Sequence, residues 1–400
     1  MTNVPSRPPS LLENLGWAFY LACSWTWCIG MYLPVLLYRE YGFGGWIVFA
    51  IPNIVGAAAM AWVLPERAVS LSFADRHRLA MLAFSLSTIA FQGYFLGWLM
   101  TRMPMPYWAV GCVCIAVVWT WGSESDLRSR LSAALVWSFS AAVFVFGLLR
   151  GEFLDRSVLT ASRLGAPSSD LVWLAPACGF GFLLCPYLDL TFHHVRQQTT
   201  RAGGRFAFGT GFGFLFPVMM ILSLAYAPRM TWVFHRSASG PKTLSLPLLA
   251  VLLHMVVQSG FTAVVHIRRL VSQTGHRGWQ RFAAAALCGV VPFLLPCLFA
   301  DRTLFGMGLT EAGYRAFLGC YGLVFPAYIW ICAPRGRAPS GISAAVFAAV
   351  VALAAPLFAV GFLGGRMGAL VPALAIVLAG RVVADMAASS ARARSTETTS

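Results

Sequence analysis

Few reactive side chains sit inside the long apolar stretches of this 400-residue chain. Asp189 is the carboxylate placed deepest, four residues before His193, so the two share a helix face. An ion pair, helix-end solvation and a functional carboxylate all fit that spacing. An ionisable group within a membrane is costly and points to function or to a partner. Arg39 and Glu40 close the first stretch, where they can reach lipid headgroups as interfacial anchors. Asp189 has no second carboxylate beside it, so paired-carboxylate glycosyl or acyl transfer is excluded. His193 and His194 are adjacent and cannot share a face. His254 and His266 lie twelve residues apart, about 18 Å along a helix, too far for one metal. No HExxH or Walker-type run occurs. Ser259 and His254 fall on one helix, a poor geometry for a hydrolase. The ten cysteines form no CxxC pair and read as small buried hydrophobes. What remains is binding, and the handling of an ion or proton.

Polar groups suited to binding cluster in three places. Ser85, Thr88 and Gln92 share one helical face in the third apolar stretch, which either lines a cavity or bonds to neighbouring helices. Trp25 and Trp27 sit near mid-span, away from the interfacial belt that suits most of the other tryptophans. Helix breakers crowd the first stretch, Cys23-Ser24-Trp25-Thr26-Trp27-Cys28-Ile29-Gly30 through Pro34. They crowd the sixth as well, Pro176 through Gly179-Phe180-Gly181-Phe182 to Pro186. In a membrane a helix breaks only where its backbone lines a cavity. Matched interruptions in two halves of a chain point to a transporter binding site. The expected breaks are Ser24–Gly30 and Gly179–Phe182. GFGF recurs at 211–214, where close packing through small residues explains it as well as function does.

These groups need membrane helices to position them. The chain is 58% hydrophobic and 11% charged, with mean hydropathy +0.72, against about 25% charged in a soluble domain. It reads as an all-α polytopic membrane protein with about twelve spans, and no room for a large soluble catalytic or DNA-binding domain. The spans fall near 15–38, 43–64, 79–100, 105–121, 131–149, 171–192, 206–227, 244–267, 281–300, 314–333, 342–363 and 365–387. Residues 1–12 and 388–400 read as polar tails, the second disordered. The first span is retained rather than cleaved as a signal peptide. With the N-terminus inside, 18 of the 29 basic residues face the cytoplasm and 11 face outward. The net charge of +15 therefore reports orientation rather than a nucleic-acid partner. Both termini are expected inside.

Tyr38-Arg39-Glu40-Tyr41-Gly42 leads straight into Phe43-Gly44-Gly45-Trp46-Ile47, and the second span continues through Gly56-Ala57-Ala58. This resembles the first broken helix and the helix that follows it in the sodium:solute symporter family. The sixth span, Gly-rich and then Pro186-Tyr187-Leu188 with a basic exit, is similar. The resemblance implies the leucine-transporter fold: five-helix repeats at 13–150 and 168–335, the second inverted, and two extra helices at 340–387. It implies a substrate at the two breaks and a sodium ion between the first and eighth spans. The family offers neighbouring hydroxyls there. Here Ser259 is followed by Gly260, leaving Gln258 or Thr262 to supply the second oxygen.

The reading is a secondary transporter of the bacterial inner membrane, not an enzyme, in contact with lipid and a small polar or anionic solute. Ser24, Trp25, Trp27, Gly30, Tyr32, Gln92, Gly179, Phe180 and Gly181 are the expected substrate site. Ser259, Thr262 and Asp189 are expected to couple a sodium ion or a proton, with no other cofactor. The alternative is a membrane sensor or scaffold that keeps the fold without transport. A lipid or isoprenoid enzyme would have only the basic loops at 193–205 and 266–281, which orientation explains better.

Overall fold

A computed structural model describes residues 9–122, 125–154, 168–235, 244–272, 278–299, 302–304, 306–333 and 339–397. Residues 1–8 and 398–400 of the expected tails, and the loop carrying Lys242, lie outside the described residues. Fifteen helices are formed by the described residues. They are α1 (Leu11–Trp25), α2 (Cys28–Tyr41), α3 (Phe43–Val63), α4 (Arg67–Arg76), α5 (Arg78–Met100), α6 (Met105–Gly122), α7 (Asp126–Leu149) and α8 (Ser168–Leu184). After a 3₁₀ turn at Cys185–Leu188 come α9 (Leu190–Gln198), α10 (Arg201–His235), α11 (Leu246–Ser272), α12 (Gly278–Leu298), α13 (Leu309–Cys332), α14 (Gly341–Phe362) and α15 (Leu370–Glu397). A two-stranded ribbon, β1 (Thr303–Leu304) against β2 (Met307–Gly308), precedes α13.

Nine of the described helical segments are long and apolar enough to cross a membrane. The bent pair α1–α2 makes a tenth, against about twelve expected; the apolar parts of α6 and α12, Met105–Trp119 and Ala283–Leu298, are shorter than a full crossing. Among the described residues, four of these spans and one shorter apolar helix precede residue 150, and four spans and one shorter apolar helix lie between 168 and 333, each set opening with a broken helix. Large apolar residues such as Val113, Val117, Leu135, Val172 and Leu287 are exposed on the helices, a surface that lipid rather than water suits.

The first break falls where the sequence places it. α1 and α2 meet at 53° across Thr26-Trp27. An α-helix leaves its last four carbonyls unpaired, and here all four find donors. Thr26 N–H and Oγ1 both reach the Ala22 carbonyl, at 3.1 and 2.8 Å. Gln258 Nε2 and Thr262 Oγ1 reach Cys23, the Trp27 indole N–H reaches Ser24, and Trp27 N–H reaches Trp25. The start of α2 has no side-chain cap.

The sixth-span break corrects the expectation at Gly179–Phe182. α8 runs unbroken through those residues, and the chain opens at Cys185–Asp189. A glycine keeps its N–H and so keeps the helical ladder. Pro186 has none, and it opens the 3₁₀ turn. Asp189 then caps α9 through the Thr191 N–H at 2.7 Å. Gly181 serves packing instead, close to the Tyr321 carbonyl.

The second GFGF run forms a π-turn at Gly211–Leu215, and another lies at Cys320–Val324. Each ends just before a proline, Pro217 or Pro326. A wider turn accommodates the donor that proline lacks. α5 packs on α12 through Gly93 and Gly97, where a Cβ would run into the backbone of Gly289 and Phe293. α14 and α15 pack on the end of α13 in a small core of their own, around Ala327, Ile331, Ala354 and Val377. α15 continues to Glu397, where a loose tail was expected. Its alanine-rich end contains no glycine or proline to stop it.

Candidate functional site

The two breaks face each other in mid-bundle. Trp25, Trp27 and Gly30 from the first, Phe182 and Cys185 from the second, Asn53 of α3 and Tyr321 of α13 line one cavity. Its free volume is about 10 Å³, room for one water and too little for a solute. The Trp25 indole donates to Asn53 Oδ1 at 2.6 Å. Trp27 packs edge-on against Tyr321 and His266, and Trp25 against Trp27.

A polar network borders this cavity and is buried throughout. Asp189 Oδ1 accepts from the Thr191 N–H and hydroxyl, both at 2.7 Å. The Thr191 hydroxyl lies 3.2 Å from that of Ser24. Asp189 Oδ2 has no hydrogen-bond partner among the described residues and points to His266 Nε2, likewise unpartnered, 3.8 Å away. His266 Nδ1 faces Ser85 Oγ at 3.2 Å, and Thr88 faces the Tyr321 hydroxyl at 3.1 Å. Five helices therefore meet here: α1, α5, α9, α11 and α13. His254 belongs elsewhere, bonded to Ser140 of α7 at 2.8 Å.

Ionic clusters close both ends of the bundle. At the end where α1 begins, Asp126 of α7 meets His194, Arg268 and Arg269, and Arg130 lies over the Trp17 ring. At the far end Glu311 of α13 holds Arg39, His235 and Arg315. A cleft of about 580 Å³ opens beside that second cluster, lined also by Asp170 and Tyr41. Arg39 and Glu40 were expected to reach headgroups; they are instead locked into this cluster, since Glu311 and Arg315 lie across from them. At the near end, His77 joins α4 to α5 and faces the Tyr328 hydroxyl at 3.1 Å. Burial, and then the charge of Arg76, hold its imidazole down at about 4.

The expected residues divide. Trp25, Trp27 and Gly30 line the cavity, and Ser24 and Asp189 join the network beside it. Tyr32 does not reach the cavity. It lies two residues beyond Gly30 and on another face, among Phe95, Trp98, Phe234 and Tyr314. Gln92 is buried one turn beyond Thr88, with neither amide atom partnered among the described residues. Gly179 has open space beside it, and Phe180 packs on Trp330. Gly181 lines a separate apolar cavity with Leu318 and Phe358. Phe182, two residues beyond Phe180, is the one that turns toward the first break.

Ser259 is buried with no hydroxyl partner among the described residues. Thr262 and Gln258 converge on the Cys23 carbonyl, at 3.4 and 2.5 Å. The Gln258 atom at that carbonyl must be its NH₂, because two oxygens so close would repel. The resemblance implied oxygen ligands here; the Gln258 amide donates to the carbonyl instead, and Gln258 Oε1, like the Ser259 hydroxyl, is left without a partner among the described residues.

Sequence reasoning passed over Asn53, Tyr321 and His266. Asn53 and His266 were detectable as lone polar groups in apolar stretches. Their partners, 28 and 77 positions away at Trp25 and Asp189, were not.

The structure resembles the inward-facing conformation of Mhp1, with 15% identity, coverage of 93% of this chain and 91% of that one, and a TM-score of 0.52. The chain shares that fold. A closed conformation of Mhp1, described as a nucleobase-cation-symport-1 family transporter with bromovinylhydantoin bound, aligns over 96% of both chains at 12% identity and a TM-score of 0.46. No family model and no curated protein sequence matches the chain.

Proposed function

We propose that the chain is a secondary active transporter that moves a small polar solute by alternating access. The observation that carries this reading is the meeting of two broken helices around one small cavity, in a fold shared with Mhp1. Irregular backbone deep in a membrane is tolerated where it lines such a site. The uncapped start of α2 offers N–H groups beside Gly30. These, with Asn53, favour a solute presenting hydrogen-bond acceptors or a carboxylate. Trp25, Trp27 and Tyr321 supply flat apolar walls. The ionic clusters at the two ends act as alternately opened closures. On the motifs of its first, second and sixth spans we place the chain as a divergent relative of the sodium:solute symporters. On its basic residues we place it in a bacterial inner membrane with both termini cytoplasmic.

The test is a thermal-unfolding screen of purified protein against nucleobases, hydantoins, amino acids and small carboxylates, followed by uptake of the best stabiliser into proteoliposomes. A solute at a hundred times its Kd stabilises by about 2.7 kcal/mol. Asn53→Leu should abolish that shift. Stabilisation that survives in Asn53→Leu places the solute elsewhere.

The second reading, a sensor or scaffold without transport, draws on Gln258 at the expected sodium position. It requires stabilisation by a solute with no uptake under any gradient.

A further inference from the structure

We infer that Asp189 and His266 form one proton-binding site beside the paired breaks, and that a proton is the ion coupled to transport.

Both side chains are fully buried, and each turns an unpartnered atom toward the other across 3.8 Å. That gap is too long for a hydrogen bond and short enough for strong electrostatic coupling in a low-dielectric interior. The remaining atoms are already engaged. Asp189 Oδ1 is held by Thr191, and His266 Nδ1 by Ser85. The free atom of Asp189 is thus fixed in direction by Thr191, two residues on, and that of His266 by Ser85 on another helix.

The charge states order themselves. With no proton the pair carries −1, with one it is neutral, and with two it carries +1. A buried site of this kind favours the neutral, single-proton state, because a net charge there is poorly solvated. Releasing the proton leaves a buried carboxylate that requires water or a solute donor, which arrives only when the cavity opens. The proton comes from solvent and returns to solvent as H⁺, with no other bond made or broken.

The other ionisable groups around the pair are few. From α1, Tyr20 lies within electrostatic reach of Asp189 and also of Arg268, Arg269 and Asp126. The Cys185 thiol of the 3₁₀ turn lies within electrostatic reach of Asp189 and donates to the Tyr321 carbonyl at 3.1 Å. From α5 the facing group is the neutral Ser85 hydroxyl. None of them meets Asp189 as an ion-pair partner; among the described residues that place is taken by His266. Where a sodium ion was expected between the first and eighth spans, Gln258 donates its amide to the Cys23 carbonyl, while Gln258 Oε1 and Ser259 Oγ have no partner among the described residues, so the sodium arm of the experiment below decides between the two ions. Trp27 packs on His266 and lines the cavity, so a change at the pair reaches the solute site through one ring.

This assignment rests on the transport reading for its purpose, but the experiment reads protonation alone. Infrared difference spectra of the full chain in lipid nanodiscs are recorded from about pH 8 to about pH 5, the range in which histidine-linked sites titrate. A buried carboxylic-acid carbonyl band is expected to appear as the pH falls, to vanish in Asp189→Asn and to shift its titration in His266→Gln. Replacing choline chloride by sodium chloride should leave the band unchanged. An Asp189→Asn spectrum identical to wild type overturns the site. A band indifferent to His266→Gln overturns the pairing, and one displaced by sodium overturns the choice of ion. Failure of solute uptake with the band intact counts against the transport reading and not against the proton site.

Discussion

Glu311→Gln tests whether the ionic cluster at the far end holds that end shut. The Glu311 side chain is 6% exposed. It accepts from Arg39 at 2.7 and 3.1 Å and from Arg315 at 2.8 and 3.0 Å, and faces His235 at 2.8 Å. These partners sit on α2, α13 and the end of α10. Neutralising it leaves two arginines with Glu40 as their remaining carboxylate in the cluster. Breaking a buried pair costs about 3–5 kcal/mol. Arg39 is 17% exposed and keeps Glu40, so water and that neighbour recover part of the loss. About 2–3 kcal/mol should then leave the state in which the cluster is assembled. At about 1.4 kcal/mol per tenfold, the open far end becomes about 30 to 140 times more populated. Hydrogen–deuterium exchange in nanodiscs reads this directly. Exchange should quicken in 33–41 and 309–319, and stay unchanged in 126–140 at the other end. A lowered melting temperature with unchanged exchange in 33–41 and 309–319 would refute the closure, leaving the cluster as a brace only.

Three further outcomes follow from the same geometry. Gln258→Ala leaves the Cys23 carbonyl to Thr262 alone, and thermal unfolding should register a loss of about 1–3 kcal/mol; no change would mean that the amide bond contributes nothing. Gly97→Val drives side-chain atoms into the Phe293 backbone, so the yield of folded protein should collapse, whereas Gly179→Val, with open space beside it, should fold normally on size-exclusion chromatography. His77 is held neutral, at about 4 against an ordinary value near 6.5. Its contribution is therefore fully present above about pH 6.5 and is lost as the pH falls toward 4. Melting temperature against pH should decline less steeply over that window in His77→Gln, and equal slopes would remove His77 from the account.

The spans were legible because the length and apolarity of a run decide whether it can cross a bilayer. The first break was legible because Ser24-Trp25-Thr26-Trp27 offers the helix end alternative donors within a few residues. The sixth was misplaced by giving glycine the weight that belongs to proline. Tyr32 and Phe180 were assigned to the site by proximity in sequence. A helix turns about 200° over two residues, which carries Tyr32 off the face of Gly30 and sets Phe180 apart from Phe182. His266 was weighed only against His254 on its own helix, while its true neighbour lies on α9. Local sequence holds propensity and spacing. Which helices become neighbours is settled by packing across the whole bundle, and the candidate site is built almost wholly from such neighbours.

The end of α1 has a mechanical consequence. Of its last four carbonyls, Cys23 and Ser24 are held by side-chain donors alone, and Ala22 and Trp25 by the backbone of Thr26 and Trp27. Bending at Thr26 can therefore proceed by swapping side-chain partners, with no regular helical turn unwound. Side-chain rotamers exchange far faster than helices move against one another. In the proposed transport cycle the joint between α1 and α2 would therefore release with little friction, leaving the ionic clusters at the two ends to set the pace of rocking.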